Sequence, residues 1–373
     1  MNAPPEFHSE THLSPAPPQR VYTDFRVSFM KNPHGDRVTI ETPEGPREAV
    51  APVIVSASRS TDLPAFYADW FARRFRAGWA RWVNPFNRQS QWVSFERTRA
   101  IVFWSKNPRP LLAHLSTFSH AGWYLTFTLN DYVREGLEPG VPPLAERLDT
   151  FAAFSARVGS ERVIWRADPL LLLDNLGVDG LLARVQAIGE KLRGKTRRLV
   201  FSFADTAEYR NVRANLKKAG IPFRDWNEAT MRTAAAGLSL IGRSLGIEVV
   251  SCAETVDLSP FGIQHGRCID DELLYRLFPG DLELQRSLGY MPVQPTLTGA
   301  GLSRPSLKDK GQRKACGCII SKDIGSYNTC PHGCVYCYAN ASPGQARRQA
   351  ASHDPNADSL TPVPAEEHPP RPG

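Results

Sequence analysis

Cys330, Cys334 and Cys337 stand in the stretch Cys330-Pro-His-Gly-Cys334-Val-Tyr-Cys337-Tyr-Ala-Asn, with three residues in the first gap and two in the second. A short loop of this spacing can curl round one metal centre and turn three thiolates towards it. Three is one ligand fewer than a closed four-coordinate site needs. The free corner can take a small molecule, which is how a metal site becomes catalytic rather than structural. Cys252, Cys268, Cys316 and Cys318 complete the seven cysteines of the chain. Four thiolates suit a closed zinc site or an auxiliary iron–sulfur cluster. Cys316-Gly-Cys318 is too tight for a comfortable disulfide yet can share a metal, whereas Cys252 and Cys268 read equally as small buried hydrophobes. The rival for the first loop is structural zinc with His332 or Cys318 as fourth ligand. Lys308, Lys310, Arg313 and Lys314 would then offer a basic approach to nucleic acid.

Composition narrows the setting. The formal net charge is +7, but the excess is spread along the chain, which suits a solvated basic surface and tolerates an anionic substrate. No apolar run is long enough to cross a bilayer, and Met1-Asn-Ala-Pro-Pro-Glu-Phe-His8 has neither a basic start nor an apolar core. A cytoplasmic protein with no membrane partner is expected. In that reducing compartment, seven cysteines point to metal or redox chemistry rather than a disulfide framework.

The elements that must position these residues follow a rhythm that begins at residue 52. Short β-branched or aromatic runs start at Val53, Ala80, Ala100, Trp123, Val163, Leu199 and Glu248. Between them Leu63–Arg76, Leu144–Val158, Val178–Leu192 and Glu228–Leu245 carry apolar residues at helical spacing. Alternation of this kind implies a parallel sheet with crossover helices. Its extent favours an α/β fold of the TIM-like (β/α) barrel type, whole, partial or circularly permuted. No glycine-rich phosphate fingerprint follows a strand. The expected organisation is a disordered segment over 1–22, a strand or hairpin lead-in over 23–51, the barrel with its cysteine cluster over 52–340, and a disordered tail over 341–373.

Each expected strand runs into a polar cluster: Ser58-Arg-Ser60-Thr-Asp62, Asn84-Pro-Phe-Asn87, Ser105-Lys106-Asn107, Asn130-Asp131, Arg166-Ala-Asp168, Asp205 and Cys252-Ala-Glu254. In a parallel barrel these ends open on one face, where the active site lies. Asp62, Asn107 and Asp205 also read as helix caps. Lys106, Arg166, Asp168 and Glu254 are the expected substrate-binding or proton-handling groups.

The C-x3-C-x2-C pattern, with Tyr336 before its last cysteine and Tyr338-Ala after it, resembles the cluster loop of radical S-adenosylmethionine enzymes. A wider resemblance, over about 52–340, is carried by Val55-Ser-Ala-Ser-Arg-Ser-Thr-Asp-Leu-Pro-Ala-Phe-Tyr67, Val83-Asn-Pro-Phe86, Phe103-Trp-Ser-Lys-Asn-Pro108 and Cys316-Gly-Cys-Ile-Ile-Ser-Lys-Asp-Ile-Gly-Ser-Tyr-Asn-Thr-Cys330. These stretches resemble the bacterial family of domain of unknown function 1848. The radical-enzyme resemblance implies a [4Fe–4S] cluster on Cys330, Cys334 and Cys337, with S-adenosylmethionine on the open iron. It implies reductive cleavage to a 5′-deoxyadenosyl radical, Tyr336 against the adenine, and an electron donor of reductase or ferredoxin-like type. The tail of the motif is similar to that of photoproduct-lyase-type repair enzymes, and nucleic acid is one compatible substrate. Such loops usually follow the first strand of the barrel, so a position near the C-terminus implies a rotated strand order. No Gly-Gly-Glu-like element is present to grip the methionyl amine, and Ser60 or Asp62 would take that place.

Overall fold

The computed structural model describes residues 36–290 and 306–364. Its strands are β1 (Asp36–Thr42), β2 (Gly45–Ala51), β3 (Ile54–Ala57), β4 (Trp79–Val83), β5 (Ser90–Ser94), β6 (Ala100–Ser105), β7 (Gly122–Thr128), β8 (Val163–Leu170), β9 (Arg198–Phe203), β10 (Glu248–Cys252), β11 (Gln264–Gly266) and β12 (Lys322–Asp323). The α-helices are α1 (Leu63–Phe66), α2 (Ala68–Ala77), α3 (Leu144–Val158), α4 (Val178–Leu192), α5 (Arg210–Lys218), α6 (Glu228–Leu245), α7 (Asp271–Leu277), α8 (Leu282–Ser287) and α9 (Pro343–Ala351). A 3-10 helix spans Arg109–Phe118.

Eight strands form a parallel sheet in the order β12-β3-β6-β7-β8-β9-β10-β11. The last strand in sequence therefore lies beside β3, the first strand of the sheet. The period-2 alternation of each strand divides it between two buried faces. Ile101, Phe103, Trp123, Leu125 and Phe127 pack among the helices, and Phe127 stacks on Phe151 of α3 with ring centroids 5.3 Å apart. Ala100, Val102, Tyr124, Ile164, Val200 and Val250 face the other way, into a second cluster with Leu273, Leu284, Cys268, Cys316 and Cys318. Burial on both faces is why these strands read as nearly continuous apolar runs.

Six of the seven expected strands lie in this sheet. The run Ala80–Asn84 does not, since β4 pairs antiparallel with β5 in a separate sheet of order β1-β2-β5-β4. The cause is local. Arg88 adopts a positive φ of 61°, and its N–H closes a turn on the Asn84 carbonyl at 2.9 Å. The chain is thereby returned at once as an antiparallel partner, whereas a parallel neighbour would need a long crossover. The Asn84–Asn87 cluster is accordingly a hairpin turn. Strands β11 and β12, of three and two residues, are too short to show a period.

Of the lead-in expected over 23–51, residues 36–51 form the antiparallel pair β1 and β2, and 23–35 lie outside the described residues. The expected disordered tail is corrected over 342–364. Ser342 accepts the Gln345 N–H at 3.2 Å and Pro343 opens α9, a normal cap and first turn. Beyond it the chain folds back, with the Trp70 indole N–H donating to the Ala357 carbonyl at 3.0 Å and Leu360 buried. Residues 1–22 and 365–373 lie outside the described residues. No helix among the described residues is long and apolar enough to cross a membrane.

Candidate metal centre

The cysteine loop is seated on the C-terminal ends of β3, β6 and β7. Asp62, just past β3, caps α1 through the Ala65 N–H at 3.1 Å. The same carboxylate accepts the Ser105 hydroxyl at 2.6 Å, the Lys106 N–H at 2.7 Å and His332 Nε2 at 2.8 Å. Four partners use the four lone-pair directions of a carboxylate, so Asp62 has no capacity left for a ligand amine. His332 Nδ1 stands 3.0 Å from the Gly140 carbonyl, and the Gly140 N–H donates to the His332 carbonyl at 2.8 Å. Both imidazole nitrogens face protein acceptors, so His332 offers none to a metal.

A second tether runs through Lys106. Its ammonium bonds Glu138 at 2.8 Å and the Tyr336 hydroxyl at 2.9 Å. Tyr336 also donates to Glu138 and accepts from Asn130 Nδ2 at 3.3 Å. Burial opposes charge on Glu138, but Lys106 and Arg147 hold its carboxyl below the usual range. Tyr336 is therefore buried and pinned inward, which argues against the expected role of its ring as an adenine platform. Tyr338, two residues on, is 46% exposed and packs near Tyr209 with centroids 5.5 Å apart.

Asp323 on β12 is cradled by the start of the chain's first polar cluster. It accepts Ser56, Ser58 and Ser60 hydroxyls at 2.8, 2.6 and 3.0 Å, and the Arg59 and Gly325 N–H groups at 2.7 and 3.0 Å. Ser60, like Asp62, is thus engaged inside the protein and is not free to grip an amine. The serine pattern looked like a ligand loop in sequence, and only the partner 260 residues away reveals a strand clamp.

Arg166 and Asp168 occupy the end of β8 at the centre of the sheet. The guanidinium pairs with Asp168, donates to the Cys268 sulfur and lies 5.0 Å over the Trp104 ring. Asn130 binds the Asp168 backbone on both sides, at 3.0 and 3.1 Å, which links Arg166 and Asp168 to Tyr336 and the cysteine loop. Burial pushes the Glu254 carboxyl up to about 7, against the pull of the Phe203 N–H at 2.8 Å, while Asp168 adds to the rise. Arg313 stacks over Tyr209 at 5.1 Å, and Lys308 donates to the Lys314 carbonyl, so the basic run folds onto the protein itself. The structure therefore brings Lys106, Arg166, Asp168 and Glu254 to one side of the sheet. Sequence reasoning missed Glu138 and Asp323 as members of the site, and named His332 as a candidate ligand where the structure makes it a tether. Asn130 was visible as a strand-end polar residue, whereas Glu138 lies in a loop with no pattern.

The loop thiols are shaped by burial. It raises Cys330 to about 12, helped by Asp62, and holds Cys334 well above the ordinary thiol range, with Lys106 pulling the other way. Cys337 is raised by burial and lowered by Lys106. A metal binding here displaces protons from buried sulfurs beside a fixed cation. Among the described residues no three His, Cys, Asp or Glu side chains converge closely enough to hold a single metal ion.

No curated protein matches the chain. One solved structure with a likeness is the "putative alpha-L-fucosidase" of Bacteroides thetaiotaomicron VPI-5482, at 12% identity over 73% of this chain and 89% of that one, with a TM-score of 0.24. A score that low says nothing about fold or activity. Residues 54–339 match the model described as domain of unknown function (DUF1848). That span holds every strand of the eight-stranded sheet and all seven cysteines, and the chain belongs to the DUF1848 family.

Proposed function

We propose that this chain is an iron–sulfur enzyme of the radical S-adenosylmethionine type. Cys330, Cys334 and Cys337 would hold three irons of a [4Fe–4S] cluster and leave the fourth for S-adenosylmethionine. The observation that carries the reading is the seating of a three-thiolate loop on the ends of β3, β6 and β7 through Asp62–His332 and Lys106–Tyr336. The donor set fits. His332 is withdrawn from the loop's ligands by its two protein partners, so the loop presents three protein donors and an open corner. When bound, the cluster supplies the electron that cleaves S-adenosylmethionine, drawn from a reductase or ferredoxin-like donor.

The residues of the chain then divide the work. Lys106 and the buried Glu138 fix the loop and place a cation beside Cys334 and Cys337. Arg166 and Asp168 form a rigid polar floor, and Glu254, with a carboxyl near neutrality, can hold or release a proton at that floor. The fold reading that goes with this function is a rotated (β/α) barrel, in which β12 leads into the cluster loop beside β3. It is supported by the Ile319 N–H bonding the Ile269 carbonyl at 3.1 Å, between the segments that flank the two edge strands.

The test is anaerobic purification. Brown protein that yields 5′-deoxyadenosine from S-adenosylmethionine and dithionite, with both properties lost in Cys334→Ala, supports the reading. Colourless protein carrying stoichiometric zinc on the loop after anaerobic iron reconstitution overturns it.

A further inference from the structure

The second set of cysteines is scattered in sequence and gathered in space. Cys252 ends β10 and Cys268 follows β11 by two residues, and their sulfurs are 3.1 Å apart. Cys316 and Cys318 come from the approach to β12, at the opposite edge of the sheet. The Ile319–Ile269 hydrogen bond joins the two edges there, and the Ile269 N–H donates to the Cys318 sulfur at 3.4 Å. Cys268, Cys316 and Cys318 are buried in one cluster, and Cys252 packs against it.

The surroundings suit an anionic group. Arg166 donates to Cys268, Arg59 lies near Cys318, and Arg313 lies near Cys252 and Cys316. Two nitrogens of Arg59, Nε and Nη1, and the indole nitrogen of Trp104 are buried with no hydrogen-bond partner. Trp104 packs in the same cluster as the four cysteines. Unpartnered buried donors each cost free energy, and metal-bound sulfur is an acceptor that such donors can use.

We propose that Cys252, Cys268, Cys316 and Cys318 hold a second metal centre, closed by four thiolates and distinct from the three-cysteine loop. Four thiolates about 2.3 Å from zinc lie about 3.8 Å from one another. Cys252 and Cys268 are in contact and Cys318 accepts the N–H of the residue after Cys268, so the four sulfurs, which do not converge on one point as they stand, would close round a zinc ion or open round an iron–sulfur cluster by rotation of side chains. Both occupants share the chemistry of a thiophilic metal, and both would clamp the two edges of the sheet together.

This centre stands independently of the first, and Cys334→Ala separates them. Metal is counted in the full-length chain purified without oxygen and reconstituted with iron and sulfide. The Cys334→Ala chain is expected to retain one centre, colourless with one zinc or brown with iron. Cys318→Ala in the Cys334→Ala background is expected to lose it, with Cys268→Ser in that background as a second case should the first fold poorly. A Cys334→Ala chain free of metal, or one whose metal survives both second changes, overturns the proposal. So does a Cys252–Cys268 disulfide in the anaerobic protein.

Discussion

His332 Nε2 lies 2.8 Å from Asp62 Oδ2, and this contact joins the cysteine loop to the end of the first strand of the main sheet across 270 residues of sequence. The loop comes late in the chain, but its support comes from the beginning. Asp62→Ala removes four hydrogen bonds at once and leaves buried donors on Ser105, Lys106 and His332 without a partner. Breaking a buried charged group of this kind costs about 3–5 kcal/mol. The urea midpoint should fall, and iron bound by the three-cysteine loop should fall with it. An unchanged midpoint with full iron content would show that the loop is held elsewhere.

Gly140 touches the same joint from the other side. A Cβ at this position would stand 2.5 Å from the His332 carbonyl oxygen and 2.9 Å from its carbon, both backbone atoms that cannot swing aside. Gly140→Ala should therefore push the loop off its seat, at about 1–3 kcal/mol of overpacking. Because the strain falls on the loop and not on the sheet, iron content should drop more steeply than the thermal midpoint. Equal loss of both would place the strain in the core.

Much of the sheet could be read in the sequence because parallel strands buried on both faces leave long apolar runs, as Ala100–Ser105 and Trp123–Leu129 do. The three-cysteine loop was legible because ligand spacing is local. Asp62 and Ser60 were legible as polar strand-end residues, but not in their roles, which depend on His332 and Asp323 far along the chain. The antiparallel pairing of β4 was hidden because a β-rich run looks alike in either orientation. What decided it was the tight turn over 84–88. The helix at 343–351 was masked by its polar and small residues, since its stability comes from a cap and from contacts made by the segment after it.

Lys106 and Glu138 form a buried pair at 2.8 Å, with Tyr336 bonded to both. Lys106→Met leaves the buried Glu138 carboxylate with Arg147 as its only cation and the Tyr336 hydroxyl as donor, and should cost about 3–5 kcal/mol. Glu138→Gln strands Lys106 in turn. The double variant should lose clearly less than the sum of the two, with a coupling energy of about 1–3 kcal/mol in urea unfolding. Additive losses would mean that each residue acts through Tyr336 and not through its partner.

Lys322 gives a pH signature away from both cysteine groups. It is half-buried on β12, its ammonium 3.4 Å from the centroid of the Trp82 ring and 2.7 Å from Gln91 Oε1. Burial lowers it from 10.5 to about 8, against the opposing pull of Asp323. The unfolded chain thus binds more protons than the folded chain between about pH 8 and 10.5, and stability from this group rises with pH across that window. Below pH 8 both states are protonated and the full cost of burying the charge is felt. Above 10.5 neither carries the proton. The ring face offsets part of the cost of burying the charge, so the rise is expected not to exceed the roughly 3 kcal/mol that the full shift implies. Urea unfolding of the wild-type and Lys322→Met chains at intervals from pH 7 to 10.5 isolates this contribution, since other titrating groups act on both. The wild type should gain on the variant as pH rises, and parallel curves would mean that Trp82 and Gln91 hold the charge in place without net cost.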